Sequence, residues 1–422
     1  MRFSGFDDEW QSCRFDELFD FQVAGDMKKE LFNEEFIDEY KYPLYANALE
    51  NEGLLGYYKE YKYNPNSITV TARGNIGHAT ARKNKFNAVG RLIILTPKED
   101  LNIEFFTEYI NNNVKIYIES TGVPQLTAPS LKINKLHYPT LNEQNKISNL
   151  LIMLNNKIEL LGQKHQLYQY FKKYLMQQIF TQKLRFDFND EWRIRILNEI
   201  TFYQEGPGVR NYQYTKEGVK LLNVGNFVNN ALELDNTDKY ISNEEAYGKY
   251  KHFLVDEGDL LIACSGIKAE YFDEKIAFAE NKHLPLCMNT STMRFKSLDE
   301  NTLNLRYLKY YFQTQSFKKQ VFQVMTGSAQ FNFGPTHLKY FKIPIPCLDE
   351  QIKIYQMFES IDIKILNIYR EIMKVKEFKK GLLQQMFIVR INWRCNFKLA
   401  KSPSFNKHLL ILKNKIIFII IE

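Results

Sequence analysis

A chain of 422 residues is long for a single hydrophobic core, so two or three domains are expected. Its 45% hydrophobic and 25% charged residues are the balance of an ordinary soluble globular protein, and the run Ile416 to Ile421 is far shorter than the ~20 residues that cross a bilayer, so no membrane partner is expected. A net charge of +7 suits a polyanionic partner without requiring one, while five scattered cysteines with no C-x-x-C pair argue against a disulfide framework or a zinc site and fit a reducing cytoplasm.

In chain order, residues 1–30 carry no signal-peptide pattern. Arg2-Phe3 and Phe6-Asp7-Asp8-Glu9-Trp10 open a mixed region whose short β-type run Ser67–Thr71 leads toward glycine. Leu101 to Ile110 reads as a short helix. Ile147, Leu151, Leu154, Ile158, Leu161, Tyr168, Leu175 and Ile179 then recur mostly by three and four, a coiled-coil seam with charged flanks. A helix of about 38 residues there would be about 57 Å long at 1.5 Å per residue. Thr140 with Glu143 is read as a capping box at its start.

The chain then repeats itself. Arg185-Phe186 and Phe188-Asn189-Asp190-Glu191-Trp192 echo the opening motif, and a second mixed region follows, broken at Gly206-Pro207-Gly208 and carrying the strand-like Asp259 to Ala263. Leu303 to Phe312 echoes Leu101 to Ile110, and Thr326-Gly327 with Gln330 echoes Thr121-Gly122 with Gln125. Residues 346–387 align without a gap on 139–180: Pro346, Leu348, Glu350, Gln351, Lys353, Ile354, Lys379, Lys380, Leu382, Gln384, Gln385 and Phe387 meet Pro139, Leu141, Glu143, Gln144, Lys146, Ile147, Lys172, Lys173, Leu175, Gln177, Gln178 and Phe180. Two long helices in one chain, each with a narrow apolar stripe, most simply bury it against each other. Residues 389–422 match nothing upstream and read as a poorly docked tail, or as a readthrough extension past a terminus near residue 388.

The resulting expectation is an α/β (α+β) protein: two globules, two long antiparallel coiled-coil helices and an internal pseudo-two-fold repeat. The segments are a first globule at 1–130, a central helical region at 131–184, a second globule at 185–335, a distal helical region at 336–388 and the tail at 389–422.

These pieces resemble the specificity (S) subunit of type I restriction–modification systems. The likeness rests on Arg2-Phe3-Ser4-Gly5-Phe6 with Trp10, Gly258 to Ile262 followed by Ser265-Gly266, Ile343 to Gln351, and Lys379 to Phe387, and it covers roughly residues 1–388. The resemblance implies that each globule is a target-recognition domain reading one half of a bipartite double-stranded DNA site. It implies that the helices separate the domains by a fixed distance and dock two methyltransferase (M) subunits, with restriction (R) subunits joining. It implies a non-catalytic chain with no cofactor of its own; S-adenosylmethionine, ATP and magnesium are expected on the partners. Helix length should then set the spacer between half-sites. Family members often carry residues before the Arg-Phe motif, which here starts at residue 2, so the support of the first domain is expected to be short.

Recognition domains differ between relatives, so candidate DNA contacts are read from chemistry. Arg73, Asn75, His78, Arg82, Lys83 and Lys85 follow the first strand; arginine can read guanine and asparagine adenine through paired hydrogen bonds, while lysine suits phosphate. The second domain offers Arg210, Asn211, Tyr212 and Lys216, and Ser265 with Lys268. The alternative is polar hairpins with solvated charges, and for Tyr212 and Tyr214 half-buried strand positions. Glu143, Gln144, Glu350 and Gln351 are expected first as helix-start residues and second as partner contacts. Lys172, Lys173, Lys379 and Lys380 read as solvated before phosphate- or acid-pairing. The seven histidines show no ligand spacing, and His165 falls on the apolar seam.

Two rivals remain. A self-contained methyltransferase or nuclease would need a nucleotide-binding or catalytic motif, and no G-x-G-x-x-G after a strand, Walker-type loop or Asn-Pro-Pro-aromatic tetrapeptide is present. A coiled-coil protein adaptor would bind no specific DNA.

Overall fold

The computed structural model describes residues 2–116, 124–235, 237–267, 269–324, 331–332 and 334–387. The Thr121-Gly122 and Thr326-Gly327 echoes, Lys268 and the 389–422 tail lie outside them. The described residues form two compact units, one of residues 2–153 with 377–387, the other Leu154–Lys376.

In the first unit, β1 (Gln11–Arg14) is followed by β2 (Phe19–Val23), β3 (Tyr42–Tyr45), β4 (Ser67–Val70), β5 (Ala79–Arg82), β6 (Asn87–Ala88), β7 (Ile93–Pro97), the helix α1 (Ile103–Asn113) and β8 (Lys135–Tyr138). An antiparallel sheet runs in the order β2-β7-β4-β5. Every residue of β4 is buried, as the centre of a sheet covered on both faces requires. β3 pairs in parallel with β6, and β1 with β8 in antiparallel fashion. The helix α2 (Leu141–Phe180) starts here and continues into the other unit.

The second unit has the same plan. Its strands are β9 (Arg193–Ile196), β10 (Thr201–Glu205), β11 (Val219–Leu222), β12 (Leu260–Ala263), β13 (Ile276–Phe278), β14 (Leu286–Met288) and β15 (Thr292–Ser297); α3 (Leu305–Phe312), β16 (Lys342–Ile345) and α4 (Leu348–Phe387) follow. The main sheet is β10-β15-β12-β13, β11 pairs in parallel with β14, and β9 with β16 in antiparallel fashion. The two mixed regions therefore share a topology that their sequences do not announce.

Both long helices span 40 residues, two more than the spacing suggests, and Gly162 does not interrupt the first. Within the second unit they run antiparallel: Lys157 pairs with Glu371 at 3.4 Å, Lys172 with Asp362 at 2.6 Å, and Phe180 stacks on Phe358 with ring centroids 6.0 Å apart. Leu154, Ile354, Phe358, Ile361, Ile368 and Ile372 are buried, each worth roughly 1.5–3 kcal/mol, while Ile158, Leu161, Tyr168, Ile365 and Val375 are half-buried. His165 is half-buried on this seam, its ring 6.1 Å from that of Tyr369.

The repeated residues meet at one junction in each unit. In the first, the Arg2 guanidinium donates from Nε and Nη2 to the two oxygens of Glu143 at 2.8 and 2.7 Å; in the second, Arg185 does the same to Glu350, both at 2.8 Å. Gln144 donates to the Pro139 carbonyl at 2.9 Å and accepts the Asn102 amide at 3.0 Å; Gln351 donates to the Pro346 carbonyl at 3.0 Å and accepts the Asn304 amide at 2.9 Å. Asn102 and Asn304 are the N-caps of α1 and α3, so each long helix is tied at its first turn to the helix of its own domain. Trp10 packs edge-on against Phe105 and Phe387, and Trp192 against Tyr307 and Phe180.

This corrects two expectations. Glu143 spends its carboxylate on Arg2 rather than on the reciprocal bond of a capping box, leaving the Glu143 and Gln144 amides to the Thr140 carbonyl at 3.0 Å. Glu143, Gln144, Glu350 and Gln351 are 0–1% exposed, so they cannot be partner contacts; they are the internal fasteners of the junction. Lys379 and Lys172 are not solvated either. Lys379 pairs with Glu108 at 2.8 Å, and Lys172 joins Asp362 and donates to the side-chain Oε1 of Gln313 at 3.2 Å. Lys173 and Lys380 are exposed as expected.

Candidate nucleic-acid interface

The register of each main sheet brings one set of loops to one end. In the first unit Val70 faces both Ile93 and Ala79, and Val23 faces Ile93, so the turn before β7 and the β4–β5 loop leave the sheet together, beside the end of β2. In the second unit Glu205 faces Met293, Ala263 faces Thr292 and Ile262 faces Ile276. The segment after β10, which holds Arg210 to Lys216, and the segment after β12, which holds Ser265, thus leave the same sheet end. The β4–β5 and β12–β13 connections occupy equivalent places in the two units.

The β4–β5 loop is built before any ligand arrives. Thr71 donates its amide to the His78 carbonyl at 2.9 Å, its hydroxyl accepts the His78 amide at 2.9 Å, and that hydroxyl donates to the Asn75 carbonyl. Gly77 donates to the Thr71 carbonyl at 2.8 Å and sits at φ +87, where a Cβ would lie 2.6 Å from Ile116, so only glycine fits. From α1, Asn111 accepts the Ala79 amide at 2.8 Å and donates to the Ala79 carbonyl at 3.0 Å. The Asn47 side chain accepts the Ala72 and Arg73 amides at 2.8 and 3.3 Å. Neither Asn47 nor Asn111 is legible as a loop support in sequence, because each acts across a gap of 25 to 32 residues.

On this frame Arg73, Asn75, His78, Lys83 and Lys85 are exposed. Arg73 reaches Gln125 at 3.3 Å, Lys83 pairs with Glu104 at 2.6 Å, and Lys85 lies 4.3 Å over the Tyr61 ring. A hollow of about 630 Å³ beside the loop is lined by Asn75, His78, Glu108, Asn111 and Lys379. Packing around His78, with the charge of Arg82 added, holds its pKa below the usual value, so the ring is neutral and offers one donor and one acceptor. Arg82 departs from the expected set. It is 4% exposed, donates to the Thr69 hydroxyl at 2.9 Å and the Glu52 carbonyl at 2.7 Å, and lies 3.5 Å over the Tyr45 ring. As the last residue of β5 it points into the sheet packing, and it is a structural cation rather than a DNA contact.

In the second unit Arg210, Asn211, Tyr212 and Lys216 are exposed, and Tyr212 is 87% exposed on a single helical turn, not half-buried in a strand. The turn is held by Gln213, which accepts the Arg210 amide at 3.0 Å and donates to Glu245 at 2.6 Å. Tyr214 is half-buried. Ser265 is half-exposed and begins the short strand Ser265–Ile267, which pairs with Phe331–Asn332. Among the described residues no group of three His, Cys, Asp or Glu is placed to hold a metal ion, and no helix is long and apolar enough to cross a membrane.

Two doubled units, each presenting exposed polar loops at one sheet end, can now be set beside known proteins. The family model of the type I restriction modification DNA specificity domain matches residues 7–167 and again 189–377. The chain belongs to the type I specificity-subunit family. It is 22% identical over 408 residues to the MjaVIII type I restriction enzyme specificity subunit of Methanocaldococcus jannaschii, covering 91% of this chain and 93% of that one. Its fold is similar to that of the type I system S subunit from M. genitalium, with a TM-score of 0.59 and 15% identity over 91% of this chain and 97% of that one. It is also similar to a chain solved in a study of complex assembly and conformational transition of the type I restriction–modification system, with a TM-score of 0.56, 15% identity, and coverage of 90% and 98%. For this family the two family-model matches correspond to the two units of the repeat.

Proposed function

We propose that this chain is the non-catalytic DNA-reading subunit of a type I complex, each unit reading one half of a bipartite double-stranded site. The observation that carries this reading is the equivalence of the loop ends: two unrelated loop sequences sit on the same frame, and each is exposed and polar. In the first unit Arg73 and Asn75 have the chemistry to read guanine and adenine edges, and Lys83 and Lys85 to meet phosphates. In the second, Arg210, Asn211, Lys216, Ser265 and Lys268 fill those roles, with Tyr212 an aromatic surface for the groove. Affinity should fall with salt as phosphate contacts are given up to counterions.

Methyltransferase subunits would do the chemistry, flipping the target adenine out of the stack with S-adenosylmethionine bound to them, and ATP and magnesium would serve the restriction subunits. Docking of the methyltransferase subunits is supported by an exposed apolar row on α2: Leu160, Leu167 and Tyr174 lie seven residues apart and are 57–67% exposed. On α4, Ile363, Leu366 and Met373 are also exposed. Apolar side chains in such a row, on helices whose seam is already filled, favour a protein partner.

The test is a methylome. The chain is expressed with its neighbouring methyltransferase subunit in a methylation-free host, and adenine methylation is read by long-read sequencing. One bipartite motif with a fixed gap is expected. Silence with the methyltransferase subunit bound would favour a coiled-coil adaptor, and methylation by the chain alone would make it an enzyme.

A further inference from the structure

The turn between β6 and β7 carries Arg91, which no motif singles out. Val89, Gly90, Arg91 and Leu92 form a four-residue turn closed by the Leu92 amide on the Val89 carbonyl at 3.5 Å, and both central residues lie in the left-handed region, Gly90 at φ +69 and Arg91 at φ +71. Glycine and asparagine occupy such positions cheaply; an arginine does so only under strain. Arg91 is exposed and makes no hydrogen bond or ion pair with the described residues. Strained positions of this kind concentrate where a side chain must be presented to a ligand.

One side chain ties this turn to the neighbouring loop. The single carboxamide of Asn47 accepts the amides of Ala72 and Arg73 through Oδ1 and donates to the Gly90 carbonyl through Nδ2. One side chain therefore holds the backbone beside Arg73 and the backbone beside Arg91 within the span of its own amide. Gly90 also donates to the Gly25 carbonyl at 3.0 Å, which fixes the turn from the other side. Among the described residues Arg73 has only the neutral Gln125 as a side-chain partner. Two exposed guanidiniums are thus gathered at one sheet end with no carboxylate of the described residues paired to either, an arrangement that becomes favourable when a polyanion arrives.

We propose that Asn47 is a positioning residue that gathers Arg73 and Arg91 into one group, and that Arg91 contacts the DNA of the first half-site. The inference rests on the DNA-reading function proposed above and adds a residue and a support to it.

The experiment uses the full chain with its methyltransferase subunit and compares wild type with Arg91→Gly, Asn47→Ala and Asn47→Asp, reading methylomes, affinity for a duplex carrying the wild-type motif, its salt dependence, and thermal unfolding. Arg91→Gly relieves the left-handed strain, so its unfolding temperature should not fall, while affinity should drop tenfold or more. If Arg91 reads a base edge, one letter of one half-site becomes degenerate. If it meets a phosphate, every letter is kept and the salt slope falls by about one. Asn47→Ala should relax that same half-site and leave the other half unchanged, and Asn47→Asp, which keeps the acceptor for both amides, should restore part of it. An Arg91→Gly complex with unaltered motif, affinity and salt slope overturns the contact. An Asn47→Ala protein that is merely less stable, with its motif intact, overturns the positioning role. A wild-type complex with no bipartite motif would instead remove the DNA-reading function itself, and this inference with it.

Discussion

The two junctions use the same residues to different depths. Among the described residues Glu143 receives only the fork of Arg2 on its carboxylate, whereas Glu350 receives the fork of Arg185 and also the Trp192 indole at 3.1 Å. Trp10, half-exposed, contributes ring contacts without a bond to Glu143. Beyond the junction, Lys379 meets a carboxylate of its domain helix, Glu108, while its counterpart Lys172 meets Asp362 of the opposing long helix and lies 5.2 Å over the Tyr310 ring. A repeated motif therefore fixes which residues meet, and the neighbourhood decides how many bonds each can make.

Removing the shared carboxylate should separate the two units most strongly. Glu350→Ala leaves the half-exposed Arg185 guanidinium and the buried Trp192 indole N–H without their acceptor and should cost ~1.5–3 kcal/mol, most of it from the indole. Glu143→Ala should cost about 1.5 kcal/mol less, for want of the indole bond. Urea unfolding followed by tryptophan fluorescence checks the order, and equal losses would mean that the indole bond adds nothing. The tryptophans sharpen the same contrast: Trp192→Phe should cost ~1–2 kcal/mol and Trp10→Phe below about 1 kcal/mol in the same assay.

The apolar row on α2 should behave in the opposite way. Leu160→Glu with Leu167→Glu changes exposed positions, so stability should stay within about 0.5 kcal/mol while co-purification of the methyltransferase subunit falls at least tenfold. Retained co-purification would remove that row from the docking surface. The smallest effect is expected at His78. Its folded pKa is lowered, so the folded state resists the proton, and stability should decline as pH falls below the unfolded value near 6.5. His78→Gln should flatten that slope in a pH series of thermal unfolding.

Much of the architecture is legible in the sequence because it is periodic or repeated: the two long helices, the paired Arg-Phe to Trp motifs and the strands at Ser67 and Leu260 all announce themselves locally. The roles of Glu143 and Gln144 do not. A Thr-x-x-Glu spacing looks like a cap, and only the fold brings Arg2 to a carboxylate 141 positions away. Arg82 looks like its exposed neighbours Lys83 and Lys85 until the sheet buries it. The common topology of the two domains is hidden because sheet register is set by long-range pairing, and Arg91 is hidden because a left-handed arginine carries no local signature.

Phe387 carries one more consequence. It completes the aromatic cluster of Trp10, Phe105 and Tyr109, and its carbonyl accepts from Asn113 at 3.2 Å. On the ribosome, the amino-terminal domain must therefore wait, with that cluster uncapped, until nearly four hundred residues have been made. The second domain, sealed by Phe180, has its cap in hand before its own strands emerge. Order of synthesis and order of completion are thus reversed, and a nonsense codon late in the reading frame would do its damage at the beginning of the protein.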